Sequence, residues 1–228
     1  DIAVLRKDYD RLIEILRKNK RIGEELEISG YEVDKTDMPF LKVYNKSIAV
    51  KDNLAKDPSE LWIDIFPFDN VPESESEQNK LLRKSTLYGK LLFLSGSGSP
   101  HIPYAGLLYH ILHLGCQIIH YGLKLFHITP SFLYKKFKKV STSFNDVDCE
   151  YVTSYEYMGC LKDKVKKADL LPLVKVPFED ITAYIPANND EFLKKVYDNY
   201  MEIPPVEKRV NHAPLVIQFE GEDPIYGE

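Results

Sequence analysis

Asp64 is the residue in this chain whose surroundings most demand chemistry. It stands inside Trp62-Ile63-Asp64-Ile65-Phe66, where strand alternation puts its carboxylate on one face with Trp62 and Phe66. An ionised carboxylate withdrawn from water is costly, so such a group neutralises, pairs with a cation or binds a metal. Asp1 has a similar setting, leading the apolar Ile2-Ala3-Val4 straight into a helical pattern. Two carboxylates on neighbouring strands make a hard-oxygen site suited to Mg²⁺, which takes one or two carboxylates and leaves its other positions to water and substrate phosphates. A structural salt bridge or a helix cap would employ the same residues without chemistry. Asp69 is a candidate general base, but its position after Pro67 reads better as a turn or cap aspartate.

A second polar group lies in the middle of the chain. His110, His113, Gln117, His120, Lys124 and His127 recur at spacings of 3, 4, 3, 4 and 3, one narrow seam on a helix that is otherwise apolar. With no carboxylate or thiolate in the seam, it does not read as a metal site. Two placements stay open: a helix packed in protein with one wet edge, or an interfacial helix whose apolar sides meet lipid. The histidines, lysine and glutamine argue against a transmembrane span. Lys135, Lys136, Lys138 and Lys139 follow in a basic turn with interleaved aromatics, which suits either a solvated face or an anionic membrane surface.

Positioning such residues takes a packed core, and 228 residues with 44% hydrophobic and 29% charged composition can build one without disulfides or metal staples. That composition excludes a disordered, collagenous or multi-span membrane chain. The formal net charge of −5 provides no global basic field, which excludes nucleic acid as the expected partner; any bound anion must be held locally. Cys116, Cys149 and Cys160 are an odd number with no C-x-x-C spacing, so a reducing cytoplasm is the simplest setting.

The apolar residues 2–4 predict a strand running into a helix whose stripe is Leu5, Tyr9, Leu12, Ile13 and Leu16, ending near Gly23. Strands are predicted over 40–50 and 61–66, and a helix after Ser74 and Glu77, which have capping-box spacing. Ser95 to Pro100 is the most flexible composition and the predicted boundary. Strand character returns at 149–152 and 181–185, and Asn188 with Glu191 predicts a short helix terminated by Pro204-Pro205. Mixed strands and helices without strict alternation point to α+β or an irregular α/β sheet.

Three segments resemble one family. Trp62 through Pro72 is similar to the W-I-D-I-F-P-L-D-x-V-P signature of LicD-family phosphotransferases, relatives of fukutin and the fukutin-related protein. Ile185-Pro186, then Tyr197-Asp198-Asn199-Tyr200-Met201 and Pro204-Pro205, resemble that family's closing pattern. Asp1 through Tyr9 is similar to the tail of its D-D-D-I-D-I-A-M-x-R-E-D-Y motif, so the resemblance implies an N-terminally truncated chain that begins inside a domain, with little transferase activity until the upstream aspartates are restored.

The resemblance implies an α+β, nucleotidyltransferase-like mixed β-sheet flanked by helices. The core would comprise 1–94 and 147–228, interrupted by a helical insertion at 95–146. The implied activity is metal-dependent transfer of a phospho-group, typically phosphocholine from CDP-choline, onto a cell-surface glycan such as teichoic acid, lipopolysaccharide or capsule. Asp1 and Asp64 match family aspartates that hold Mg²⁺ or Mn²⁺. Lys42 matches a lysine on the strand before Asp64 and would meet a phosphate, or stand as an exposed strand lysine. Arg209 and His212 lie in a family-like stretch, as phosphate and substrate contacts or as loop residues paired locally. Tyr184, Tyr197 and Tyr200 read as packing residues rather than a choline-binding wall. The expected partners are a CDP-linked donor and a glycan or lipid-linked glycan acceptor, in the cytoplasm or at the inner face of the membrane, with peripheral membrane contact through 101–146. A non-catalytic or membrane-associated binding module on the same fold is the alternative.

Overall fold

A computed structural model describes residues 1–52, 58–100, 102, 104–156, 160–205 and 214–227. Strand β1 (Ile2–Leu5) runs directly into helix α1 (Arg6–Leu16), as expected, but Leu5 belongs to the strand and the helix ends at Leu16 rather than near Gly23. A small ribbon, β2 (Arg21–Ile22) and β3 (Leu26–Ser29), leads through the single turn α2 (Tyr31–Asp34) to the two longest strands, β4 (Leu41–Asp52) and β5 (Ser59–Val71). Three helices follow: α3 (Glu75–Gly96), α4 (Gly106–Leu125) and α5 (Pro130–Ser141). The chain then forms β6 (Tyr151–Thr153), β7 (Val165–Lys166), the turn α6 (Lys167–Leu170), β8 (Leu173–Phe178), β9 (Ile181–Pro186), α7 (Asn189–Tyr197), β10 (Pro214–Phe219) and β11 (Ile225–Tyr226).

The main sheet runs β11-β10-β4-β5-β6-β7, with β3 also on β4, β2 on β3, and β1 on β5. β1 is parallel to β5; the other described ladders are antiparallel, and β8 with β9 forms a separate hairpin. The architecture is α+β. Alternation gives the centre of this sheet two distinct faces. Ile28, Leu41 and Ile65 share one face, where Tyr9, Ile13 and Leu16 of α1 cover them in a buried cluster. Ser29, Lys42 and Asp64 lie in one cross-strand row on the opposite face.

Several elements differ from the sequence expectation. The basic turn is the body of α5: Leu133, Tyr134 and Phe137 sit at helical spacing and are buried, so packing organises a segment whose lysines read as loop. Pro130 occupies its first turn, and Thr129 Oγ1 accepts the Phe132 N–H at 3.2 Å. The capping box before α3 does not form; Gln78 Nε2 instead donates to the Pro72 carbonyl at 2.7 Å. Helix α7 stops at Tyr197, before Asp198 with φ of 56°, rather than at Pro204-Pro205. Among the described residues no helix is long and apolar enough to cross a membrane.

Candidate functional site

The register of β1 and β5 decides where the two aspartates stand. Ile2 is paired with Ile65, so Asp1 lies beside Asp64 one step back along the same parallel ladder. Adjacent strands are about 4.8 Å apart, and side chains of a paired row point to the same face. The Asp64 N–H approaches Asp1 Oδ1 at 3.4 Å, which places the Asp1 carboxylate over the Asp64 backbone.

Lys42 completes the row from the other side. It is directly opposite Asp64 on β4, and its Nζ lies 3.1 Å from Asp64 Oδ1. The contact is an ion pair, and the Lys42 ammonium is the charged partner of the buried Asp64 Oδ1. The side chains are 15% and 18% exposed, sheltered but open on one side. The lysine head is also 4.4 Å from the Trp62 ring centroid and 5.8 Å from that of Phe40, which lies tilted against Phe66 at 4.7 Å. Trp62 and Phe66 share this face of β5 with Asp64, as alternation along the strand predicts, and Trp62 meets the lysine head. Farther along the row, Ser29 Oγ donates to Asp34 Oδ2 at 2.8 Å, tying β3 to the turn that follows. Gly30 lets that turn form, since a Cβ there would meet the Phe40 carbonyl oxygen at 2.6 Å.

Asp1, Asp64 and Lys42 are thus brought together, and the arrangement can hold a divalent cation. Asp1 and Asp64 stand side by side on adjacent strands, the Asp64 oxygen is paired with Lys42, and the side open to solvent would leave room for water and phosphate ligands. Among the described residues no group of three or more His, Cys, Asp or Glu has metal-binding geometry, so the pair is the candidate. Arg209 and His212 lie outside the described residues.

The residue that the sequence reading missed is Arg6. It is the first residue of α1, buried, and donates from Nε and Nη2 to both carboxylate oxygens of Asp69 at 2.8 and 2.6 Å. Its Nη2 also reaches Glu156 Oε1 at 3.3 Å, and Asn145 Nδ2 donates to Asp69 Oδ1 at 2.6 Å. Asp69 is therefore neither a cap nor a free base: it is inside β5, gripped on both oxygens. Burial pushes the Glu156 carboxyl up to about 7, with Arg6 opposing and Asp69 reinforcing the rise. This buried triad fastens the β1–α1 junction to β5, the same two strands that carry Asp1 and Asp64. Tyr184 and Tyr197 are exposed rather than packed, and the Tyr200 hydroxyl donates to Asp190 at 2.9 Å.

No protein-family model, curated protein or solved structure matches the chain.

Proposed function

We propose that this chain is a metal-dependent phosphotransferase of the LicD kind, built on a nucleotidyltransferase-like sheet. It would move a phospho-group, typically phosphocholine, from a CDP-linked donor to a cell-surface glycan acceptor at the cytoplasmic face of the membrane. One observation supports the reading: two aspartates 63 positions apart in sequence lie side by side on adjacent strands, the Asp1 carboxylate over the Asp64 backbone and the Asp64 carboxylate paired with Lys42.

In this proposal Asp1 and Asp64 hold Mg²⁺ or Mn²⁺, which when bound neutralises the charge of the donor diphosphate. The chain's own contribution is positioning. Trp62 limits the swing of Lys42, whose ammonium lies where a phosphate oxygen would share it with Asp64. In the transfer, the acceptor hydroxyl oxygen bonds to the phosphorus of the phosphocholine. The bond from that phosphorus to the bridging oxygen breaks, CMP leaves with the electron pair, and the hydroxyl proton passes to solvent.

Calorimetric titration of the chain with CDP-choline, in Mg²⁺, in Mn²⁺ and in EDTA, tests this. Donor binding should require metal and be lost in Asp64→Asn. Binding of equal strength in EDTA, or none in any condition, would refute the proposal.

A further inference from the structure

Helix α4 leaves a long apolar stripe uncovered while His120 and Leu123 are buried against its neighbours. Part of its polar seam faces protein, with His120 Nδ1 2.7 Å from the Leu94 carbonyl oxygen and His113 Nε2 3.2 Å from Ser99 Oγ, while His110, Lys124 and His127 are exposed. The inward stripe continues to Leu123, which is buried with Leu92 of α3 and Leu133 of α5. The opposite stripe, Leu107, Ile111, Leu114, Ile118, Tyr121 and Leu125 at spacings of 4, 3, 4, 3 and 4, is exposed along its whole length. Leu107, Ile118 and Leu125 are 75%, 64% and 74% exposed. At 1.5 Å per residue this apolar ridge is about 30 Å long. An uncovered patch of that extent marks a surface that meets something apolar.

Charge identifies what that is. Residues 78–145 contain none of the chain's 35 Asp and Glu but nine of its 30 Lys and Arg and five of its six His. Lys138 is taken up inside the fold, paired with Asp10 at 3.0 Å and Glu32 at 2.5 Å, but Lys135, Lys136 and Lys139 are exposed on α5. Between α3 and α5 lies a groove of about 470 Å³ lined by Lys80, Lys84, Lys136 and Lys139, with Glu77 also on its wall. Two copies meeting through this helical layer, which has no acidic residue between positions 78 and 145, would bring basic groups together. An anionic surface with an apolar interior would satisfy both the ridge and the charges.

We propose that the α3–α5 layer docks onto an anionic bilayer, with the outer stripe of α4 sunk into the headgroup and acyl boundary and the lysines of α3 and α5 on lipid phosphates. The helix lies in the interface and does not cross it. This docking is independent of the metal site.

The test is flotation of the full chain with vesicles of phosphatidylcholine, with and without 30% phosphatidylglycerol by design, at low and physiological salt. The chain should float with the anionic vesicles, less at high salt. An Ile111→Glu, Ile118→Glu double variant should lower the partition coefficient at least about tenfold, and Lys135→Glu with Lys136→Glu should lower it also. Circular dichroism and the melting temperature should not change, because these side chains are exposed. Failure of the folded chain to float, or equal binding to neutral and anionic vesicles, would overturn the proposal. So would a dimer in sedimentation velocity that Ile118→Glu dissociates while vesicles are ignored, since a second copy would then cover the ridge.

Discussion

Replacing Lys42 by Met should tighten metal binding and weaken donor binding. Lys42 Nζ is 3.1 Å from Asp64 Oδ1, so the ammonium occupies the side of the carboxylate that a dication needs. At that separation the Coulomb attraction is about 1.3 kcal/mol with water-like screening and about 5 kcal/mol at an effective dielectric near 20. The pair is sheltered rather than fully buried, and desolvation and side-chain ordering take back most of the gain, leaving about 1–2 kcal/mol. An incoming cation must displace that interaction, so its removal should lower the dissociation constant for Mn²⁺ about five- to thirtyfold. Methionine keeps an unbranched stem against Trp62, so the strand pair should be undisturbed. Calorimetry with Mn²⁺ reads the first effect, and CDP-choline titration at saturating Mn²⁺ reads the second, an affinity loss of about tenfold for one phosphate contact. Unchanged or weaker Mn²⁺ affinity in the variant would refute the reasoning, because Lys42 would then not compete for the ion.

Two further predictions concern the buried triad. Arg6→Met leaves Asp69 and Glu156 without their shared cation and should cost about 3–5 kcal/mol in urea unfolding; a loss below about 1 kcal/mol would show that the pairing contributes little. Glu156 has its folded-state pKa raised from 4.5 to about 7, chiefly by burial, so between those values the fold holds a proton that the unfolded chain releases. Stability should therefore fall as pH rises from about 4.5 to about 7 and level off above. Glu156→Gln should remove up to about 3 kcal/mol of that slope, and melting curves at pH 5, 6, 7 and 8 that run parallel for the two proteins would contradict it.

The parts of the fold legible in the sequence are those with a local period. Alternation along Trp62 to Phe66 places Asp64 on one face with Trp62 and Phe66, and the stripe Tyr9, Ile13, Leu16 defines the buried side of α1. The pairing of Asp1 with Asp64 depends on the register of two strands 63 positions apart, which residue types alone do not dictate. Arg6 was missed for the same reason: its partners are 63 and 150 positions away, and a charged residue opening a helix ordinarily faces water. The polar seam of α4 shows a different limit. Periodicity identifies which residues share a helix face, but which of them meet protein is set by the neighbours, here Leu94 and Ser99 bonding His120 and His113 while His110 and His127 stay exposed. In α5, buried Leu133, Tyr134 and Phe137 override the turn-like run of lysines.

The central claim is the location of the ion, and amide relaxation reads location directly. Substoichiometric Mn²⁺ added to the ¹⁵N-labelled chain should broaden the amides of Ile2, Ile63 to Ile65 and Leu41 to Val43 first, with the effect abolished in Asp64→Asn. Broadening centred elsewhere, or unaltered by that substitution, would contradict a dication shared by Asp1 and Asp64.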